Sequence, residues 1–146
     1  MHPFRYSIHV RLQHPNMDPD LISSAMGEEP FRKWQAGYAR TNPRGGLLGG
    51  VNKHTYWCAQ GVRREGQDLA ETLESQLQKL EDKKNFLVDF CSTGGKIMFY
   101  VSWFTNEKNT GETFDWELLK RLAALQIDLG IDVYGGRDPA DDRKKQ

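Results

Sequence analysis

The sequence predicts an α+β fold, in which a single layer of four to five mostly antiparallel strands has helices packed on one face. Residues 4–12 alternate apolar and polar side chains, which is typical of a strand with one buried face. Residues 67–83 repeat leucine at helical spacing. Because two of the predicted strands have a clean polar face, a doubly wound α/β fold with helices on both sides is disfavoured.

The first half of the chain begins with that strand and continues with a short helix. Asp18 suits the N-cap of this helix, and Gly27 suits its end. Residues 30–37 predict an irregular segment or a short edge strand, and residues 42–50 predict a flexible, glycine-rich loop. Residues 54–60 alternate again and predict a second strand.

The second half of the chain alternates helices with strands. Residues 67–83 predict a helix with early acids and late lysines, as the helix dipole favours, and residues 86–90 predict a short helix. Residues 96–104 are apolar on both faces, which predicts a central strand covered on both sides. A helix capped by Asp115 then leads into a last strand, residues 127–134. The predicted core comes from the central strand and two helices: Leu73, Leu77, Phe99, Val101, Trp103, Leu119 and Leu122.

The composition is that of a globular protein without a strong charge. The 146 residues are 38% hydrophobic and 27% charged, and Lys plus Arg equals Asp plus Glu at 20 each. A nucleic-acid-binding protein usually has a basic excess, so no nucleic-acid partner is predicted. The length predicts a single α+β domain over residues 1–136, followed by a polar C-terminal tail over residues 137–146.

Apolar runs and cysteines bear on where the protein resides. No run approaches the roughly 20 apolar residues that cross a membrane, and residues 1–14 lack the apolar centre of a signal peptide. Cys58 and Cys91 lie in separate apolar segments and are expected to be reduced and unpaired. These features predict a cytoplasmic location and no membrane partner.

Several landmarks along the chain occur together in one known family. They are Met26-Gly27 at a helix end, Pro30 seven residues before Gly37, Trp57 in a strand, the leucine-rich helix, and the final helix and strand over residues 122–134. With them, the chain resembles the bacterial domain-of-unknown-function family 4279. The resemblance implies a small, single-domain bacterial protein. That family carries no established activity or catalytic residues, so the resemblance assigns no site.

Asp128 and Asp132 lie on the same face of the otherwise apolar last strand. Residues four apart on a strand are about 13 Å apart, whereas paired glycosidase carboxylates need about 5–9.5 Å. If the first and last strands are neighbours, Arg5, His9 and Arg11 face the two aspartates across the sheet. Ion pairing across strands is therefore favoured over a catalytic role.

Catalytic, metal and phosphate sites are not favoured by the remaining motifs. His54 and Cys58 share a strand face, but residues four apart on a strand cannot form a nucleophile–base pair. The four histidines show no metal-ligand spacing, and the glycines of residues 45–50 lack the lysine and serine or threonine of a phosphate loop. No catalytic residue, metal or cofactor is predicted.

Binding candidates gather around the glycine-rich loop. Trp34, Tyr38, Arg40 and Arg44 are of the residue types enriched at interface hot spots. They predict a non-enzymatic interaction module that binds another protein, possible examples being antidote or immunity proteins. The sequence does not specify an oligomeric state.

The alternative is a small-molecule-binding protein or enzyme that uses the polar face of the sheet. Its candidate residues are His9, His54, Asp128 and Asp132. A deep pocket on that face would favour the alternative, and a flat or convex face would favour the interaction module.

Overall fold

Four helices and eight strands follow one another in the computed structural model of the chain, which describes residues 4–135. The predicted tail, residues 137–146, lies outside the described residues. In chain order the elements are β1 (Phe4–His14), α1 (Pro19–Met26), β2 (Arg32–Trp34), β3 (Ala39–Thr41), β4 (Leu47–Val51), β5 (Thr55–Cys58), β6 (Val62–Glu65), α2 (Leu69–Glu81), α3 (Lys84–Ser92), β7 (Lys96–Thr105), α4 (Trp116–Ala124) and β8 (Ile127–Gly135).

The main sheet has six strands, in the order β2-β5-β1-β7-β8, with β6 also paired to β1. All pairs in it are antiparallel except β7 with β8. The α+β class is therefore confirmed, but the predicted count of four to five strands is wrong. The missed strand is β6, which shares one flank of β1 with β5 and has a single apolar residue, Val62, to indicate it.

Strand β8 is not a neighbour of β1, although the predicted pairing of its aspartates with Arg5, His9 and Arg11 requires that arrangement. Strand β8 runs parallel to β7, so β7 lies between β8 and β1. Parallel neighbours need a crossover connection, and α4 supplies it between the two strands. Direct pairing of Asp128 or Asp132 with β1 as a neighbouring strand is therefore wrong.

The segment expected to be a flexible loop forms a β-hairpin from β3 and β4. At its turn, the Asn42 side-chain oxygen accepts hydrogen bonds from the backbone N–H groups of Arg44 at 2.9 Å and Gly46 at 2.8 Å. Gly49 and Gly50 have φ of 85° and 70°, which lets the pairing register shift within the hairpin. Glycines that indicated a loop thus form a turn and a bulge.

Short-range signals correctly placed both ends of α1 and the start of α4. The Asp18 carboxylate accepts from the Asp20 N–H at the start of α1, and the Asp115 carboxylate accepts from the Leu118 N–H at the start of α4. Helix α1 ends at Gly27, whose φ of 71° is left-handed.

The core lies between the helices and one face of the sheet. Six of the seven predicted core residues are buried there, but Leu119 is 46% exposed and the neighbouring Leu118 is buried. The prediction that β7 is covered on both faces is also wrong, because its residues alternate between buried and half-buried. The second face of the sheet, which we call the open face, carries no helix within residues 4–135.

Candidate functional site

An aromatic and arginine cluster occupies the edge of the open face where the hairpin leaves the sheet. The rings of Trp34 on β2 and Tyr56 on β5 stack with centroids 4.2 Å apart. The Arg32 guanidinium lies 5.1 Å from the Trp34 ring, and it donates a hydrogen bond to the carbonyl of Thr41 in the hairpin. This cluster therefore links the sheet to the base of the hairpin.

The hairpin exposes large apolar side chains together with cations. Tyr38 is 64% exposed, Leu47 is 77% exposed and Leu48 is 53% exposed. Arg40 and Arg44 are exposed on the same hairpin. We call this surface, with the cluster at its base, the hairpin patch; it consists of Arg32, Trp34, Tyr38, Arg40, Arg44, Leu47, Leu48 and Tyr56.

A second cluster crosses the middle of the open face. The Arg11 guanidinium on β1 lies 3.6 Å from the centroid of the Tyr100 ring on β7. The Tyr100 hydroxyl donates a hydrogen bond to the carboxylate of Asp132 on β8. Asp132 is thus connected to Arg11 through an aromatic ring and not by an ion pair. Asp128 is exposed, and its charge helps burial to raise the pKa of the Cys91 thiol.

A histidine and a cysteine meet where β1 pairs with β5. His9 Nδ1 lies 3.2 Å from the carbonyl oxygen of Ala59 and 3.8 Å from Cys58 Sγ. The hydrogen bond with Cys58 raises the pKa of His9. Burial opposes ionisation of Cys58, but hydrogen bonds from His9 and Tyr56, with the charge of Arg11, hold the pKa of its thiol below the ordinary value.

The His9–Cys58 contact was missed by sequence reasoning, which paired Cys58 with His54 along one strand. His54 is exposed and precedes β5. His9, by contrast, contacts Cys58 from the neighbouring strand β1. Register between β1 and β5 was the information that the sequence lacked. Burial and the neighbouring Cys58 also raise the pKa of Tyr56 to about 12.

The comparison with protein families gave one match, to the family described as "Domain of unknown function (DUF4279)", over residues 4–136. The chain belongs to this family. The predicted resemblance is therefore confirmed, and the match extends across all the elements that form the open face. No curated protein and no solved structure matched this DUF4279 chain.

Three cavities of this DUF4279 chain bear on the small-molecule alternative. Their volumes are about 620, 340 and 420 Å³, and all three are lined by α2 residues. They therefore lie on the helix side or the edge of the sheet and not on the open face.

Within residues 4–135, no group of three or more His, Cys, Asp or Glu is placed to hold a metal ion, and no helix is long and apolar enough to cross a membrane.

Proposed function

We propose that this DUF4279 chain is a non-enzymatic interaction module that binds another protein through the hairpin patch. The observation that carries the proposal is the exposure of Tyr38, Leu47 and Leu48 on a hydrogen-bonded hairpin. Large apolar side chains grouped on a protein surface are typical of interaction sites. Trp34 and Tyr56 add a stacked, half-buried aromatic base, and stacked aromatics are good interface anchors because little side-chain entropy is lost on binding.

Charge specifies the chemistry of the partner. Residues 30–64 contain no Asp or Glu, and their seven basic residues are Arg32, Lys33, Arg40, Arg44, Lys53, Arg63 and Arg64. The whole chain is neutral, so this segment is a local basic region on an otherwise acidic chain. Three of the basic residues, Arg32, Arg40 and Arg44, belong to the hairpin patch, which contains no carboxylate and is therefore complementary to a protein surface that combines carboxylates with apolar side chains. Exposed leucines favour a protein over a phosphate backbone, which offers them no apolar contact.

The polar-face alternative receives less support. Its candidate residues do not converge, because β7 separates His9 on β1 from Asp128 and Asp132 on β8. Asp132 is already hydrogen-bonded to Tyr100. An antidote or immunity role in the cytoplasm is the special case of our proposal in which the partner is a toxin blocked by binding; it is motivated by the sequence alone.

The test compares full-length variants that differ in one surface. Arg40→Glu with Arg44→Glu reverses two exposed charges of the hairpin, and Lys84→Glu with Lys120→Glu makes the same charge change on the exposed surface of the helices. Proteins captured by the tagged wild-type chain are identified, purified and titrated by calorimetry against each variant. We expect the hairpin variant to weaken binding at least about tenfold and the helix variant less than about twofold.

A second variant separates charge from apolar contact. Leu47→Ser with Leu48→Ser should weaken the same complex without changing its salt dependence, whereas the arginine variant should reduce that dependence. Equal binding by wild type and both hairpin variants would overturn the proposal. Loss of the captured material on nuclease treatment would instead identify a nucleic acid as the partner.

A further inference from the structure

Cys58 lies beside the cationic side chains of the neighbouring strand β1. It is in register with Arg11 of β1, whose charge acts on the thiol, and with Arg32 of the edge strand β2, whose guanidinium lies over Trp34. His9, two residues before Arg11, places Nδ1 at 3.8 Å from Cys58 Sγ. Reactive cysteines are found in such electropositive surroundings, because positive charge stabilises the thiolate that acts as the nucleophile.

The histidine is oriented to stabilise a thiolate. His9 Nδ1 lies 3.2 Å from the Ala59 carbonyl oxygen and 3.8 Å from Cys58 Sγ, so in the tautomer with an N–H at this position it has both as acceptors within reach. The ring is held in place by close packing on Gly61, where even a Cβ atom would come within 2.3 Å of His9 Cε1. The Arg11 guanidinium adds a further positive charge near the sulfur, and the Cys58 thiol donates a hydrogen bond to the Ala59 carbonyl at 3.6 Å.

Arg11 also has unused hydrogen-bonding capacity beside the thiol. Its Nε is buried and has no hydrogen-bond partner within residues 4–135. A buried guanidinium N–H without an acceptor is costly, and an anion entering at Cys58 would supply one. Cys58 is only 4% exposed, and its side-chain neighbours Arg11, Tyr56 and Arg32 belong to the open face, so side chains of this face must move before a disulfide reaches the sulfur.

We propose that Cys58 is a nucleophile and a modification site for anionic low-molecular-weight disulfides. After the Cys58 thiol has lost its proton to water, its sulfur attacks one sulfur of the disulfide and forms a new S–S bond to the chain. The old S–S bond breaks, and its second sulfur leaves as a thiolate that takes a proton from water. Cys58 is thereby oxidised to a mixed disulfide, and half of the small disulfide is reduced to a free thiol.

The chain contains its own control, because Cys91 is less buried than Cys58 but lacks this cationic setting. Accessibility alone therefore predicts that Cys91 reacts faster, and the cluster predicts the opposite. A lower thiol pKa raises the fraction of thiolate near neutral pH by more than it reduces the nucleophilicity of each thiolate. We expect Cys58 to react at least about threefold faster than Cys91 at pH 7.

The experiment treats the folded, full-length chain at pH 7 with oxidised glutathione, which is anionic, or cystamine, which is cationic. Mass spectrometry of the Cys58→Ser and Cys91→Ser chains gives the rate at each remaining thiol. For each disulfide, the rate at Cys58 in the folded chain is divided by the rate in the unfolded chain. We expect this ratio to be larger for oxidised glutathione than for cystamine. The rate at Cys58 should fall at least about threefold in His9→Gln, whereas His54→Gln, which changes an exposed histidine, should leave it unchanged.

Arg32→Gln provides a second test if His9→Gln does not fold, since Arg32 is a half-buried side chain of the edge strand β2. It should reduce the preference for oxidised glutathione over cystamine. Faster modification of Cys91, equal rates at both cysteines, or no reaction of folded Cys58 with either disulfide would each overturn the proposal. Partner binding plays no part in these measurements, so their outcome is independent of the proposed protein-binding function.

Discussion

Replacing Leu118 or Leu119 by alanine tests which face of α4 is packed on the sheet. The two residues are adjacent and chemically identical, but Leu118 is 6% exposed and Leu119 is 46% exposed. Leu118 belongs to the hydrophobic core together with Leu122 and Leu125 of the same segment. Leu119 lies about 100° further around the helix, at the border of the packed face, although its sequence position also fits an apolar stripe.

The expected losses follow from the buried carbon atoms. Leu118→Ala removes three carbon atoms from the core, which costs about 2.4 kcal/mol at about 0.8 kcal/mol each. The cavity left behind raises the loss to between about 2.5 and 5 kcal/mol. Leu119→Ala removes the same atoms from a half-exposed site and introduces a slightly better helix former, so we expect a loss of about 1 kcal/mol or less.

Urea unfolding followed by tryptophan fluorescence measures both losses as shifts in the midpoint at constant slope. Thermal unfolding gives an independent value, because each kcal/mol lowers the midpoint by about 3 °C in a chain of this size. A larger loss for Leu119→Ala would show that α4 packs in the register first predicted from the sequence, and equal losses would contradict the difference in burial between the two residues.

Three further predictions concern buried and charged groups. Burial lowers the pKa of His14, so the contribution of its neutral side chain to stability is complete above pH 6.5 and falls as pH drops below that value. The free energy of unfolding should therefore decrease less between pH 7.5 and pH 5.5 in His14→Gln than in wild type. Hydrogen bonds from Arg121 lower the pKa of Glu81, so the stability lost in Arg121→Gln, on the order of 1 kcal/mol or less for this half-buried pair near the surface, should disappear as pH is lowered well below 4.5. Gly61→Ala should lower the urea midpoint, because the added Cβ forces the His9 ring to move, and an unchanged midpoint would contradict this packing.

Local signals in the sequence were sufficient for much of the fold. The alternation of residues 4–12 and the caps at Asp18 and Asp115 depend on neighbours within one turn or one strand, and the structure contains all three. The six-stranded sheet, the position of β8 and the pairing of β3 with β4 depend on contacts between distant segments. Such contacts leave little trace in a single sequence, especially where glycines both permit turns and resemble loops.

In the candidate site, too, residue types could be read from the sequence, but contacts between distant segments could not. Trp34, Tyr38, Arg40 and Arg44 were chosen by residue type, and the structure gathers them on the hairpin and its base. Their function stays a prediction. The contact of Cys58 with His9 depends on the register between β1 and β5, which no spacing in the chain reveals.

The open face explains why the hairpin, and not the sheet itself, is the better candidate for recognition. A sheet with helices on one side must leave its second face in contact with water, and here that face carries aromatic side chains on β7 and β8. These side chains cover one another: Phe104 stacks on Tyr134 with centroids 5.0 Å apart, and Arg11 lies over Tyr100. The hairpin has no comparable cover, since Leu47 is 77% exposed beyond the edge of the sheet. Exposed apolar surface is stabilised by association with another surface, so the hairpin offers a partner hydrophobic contact that the stacked rings of β7 and β8 do not.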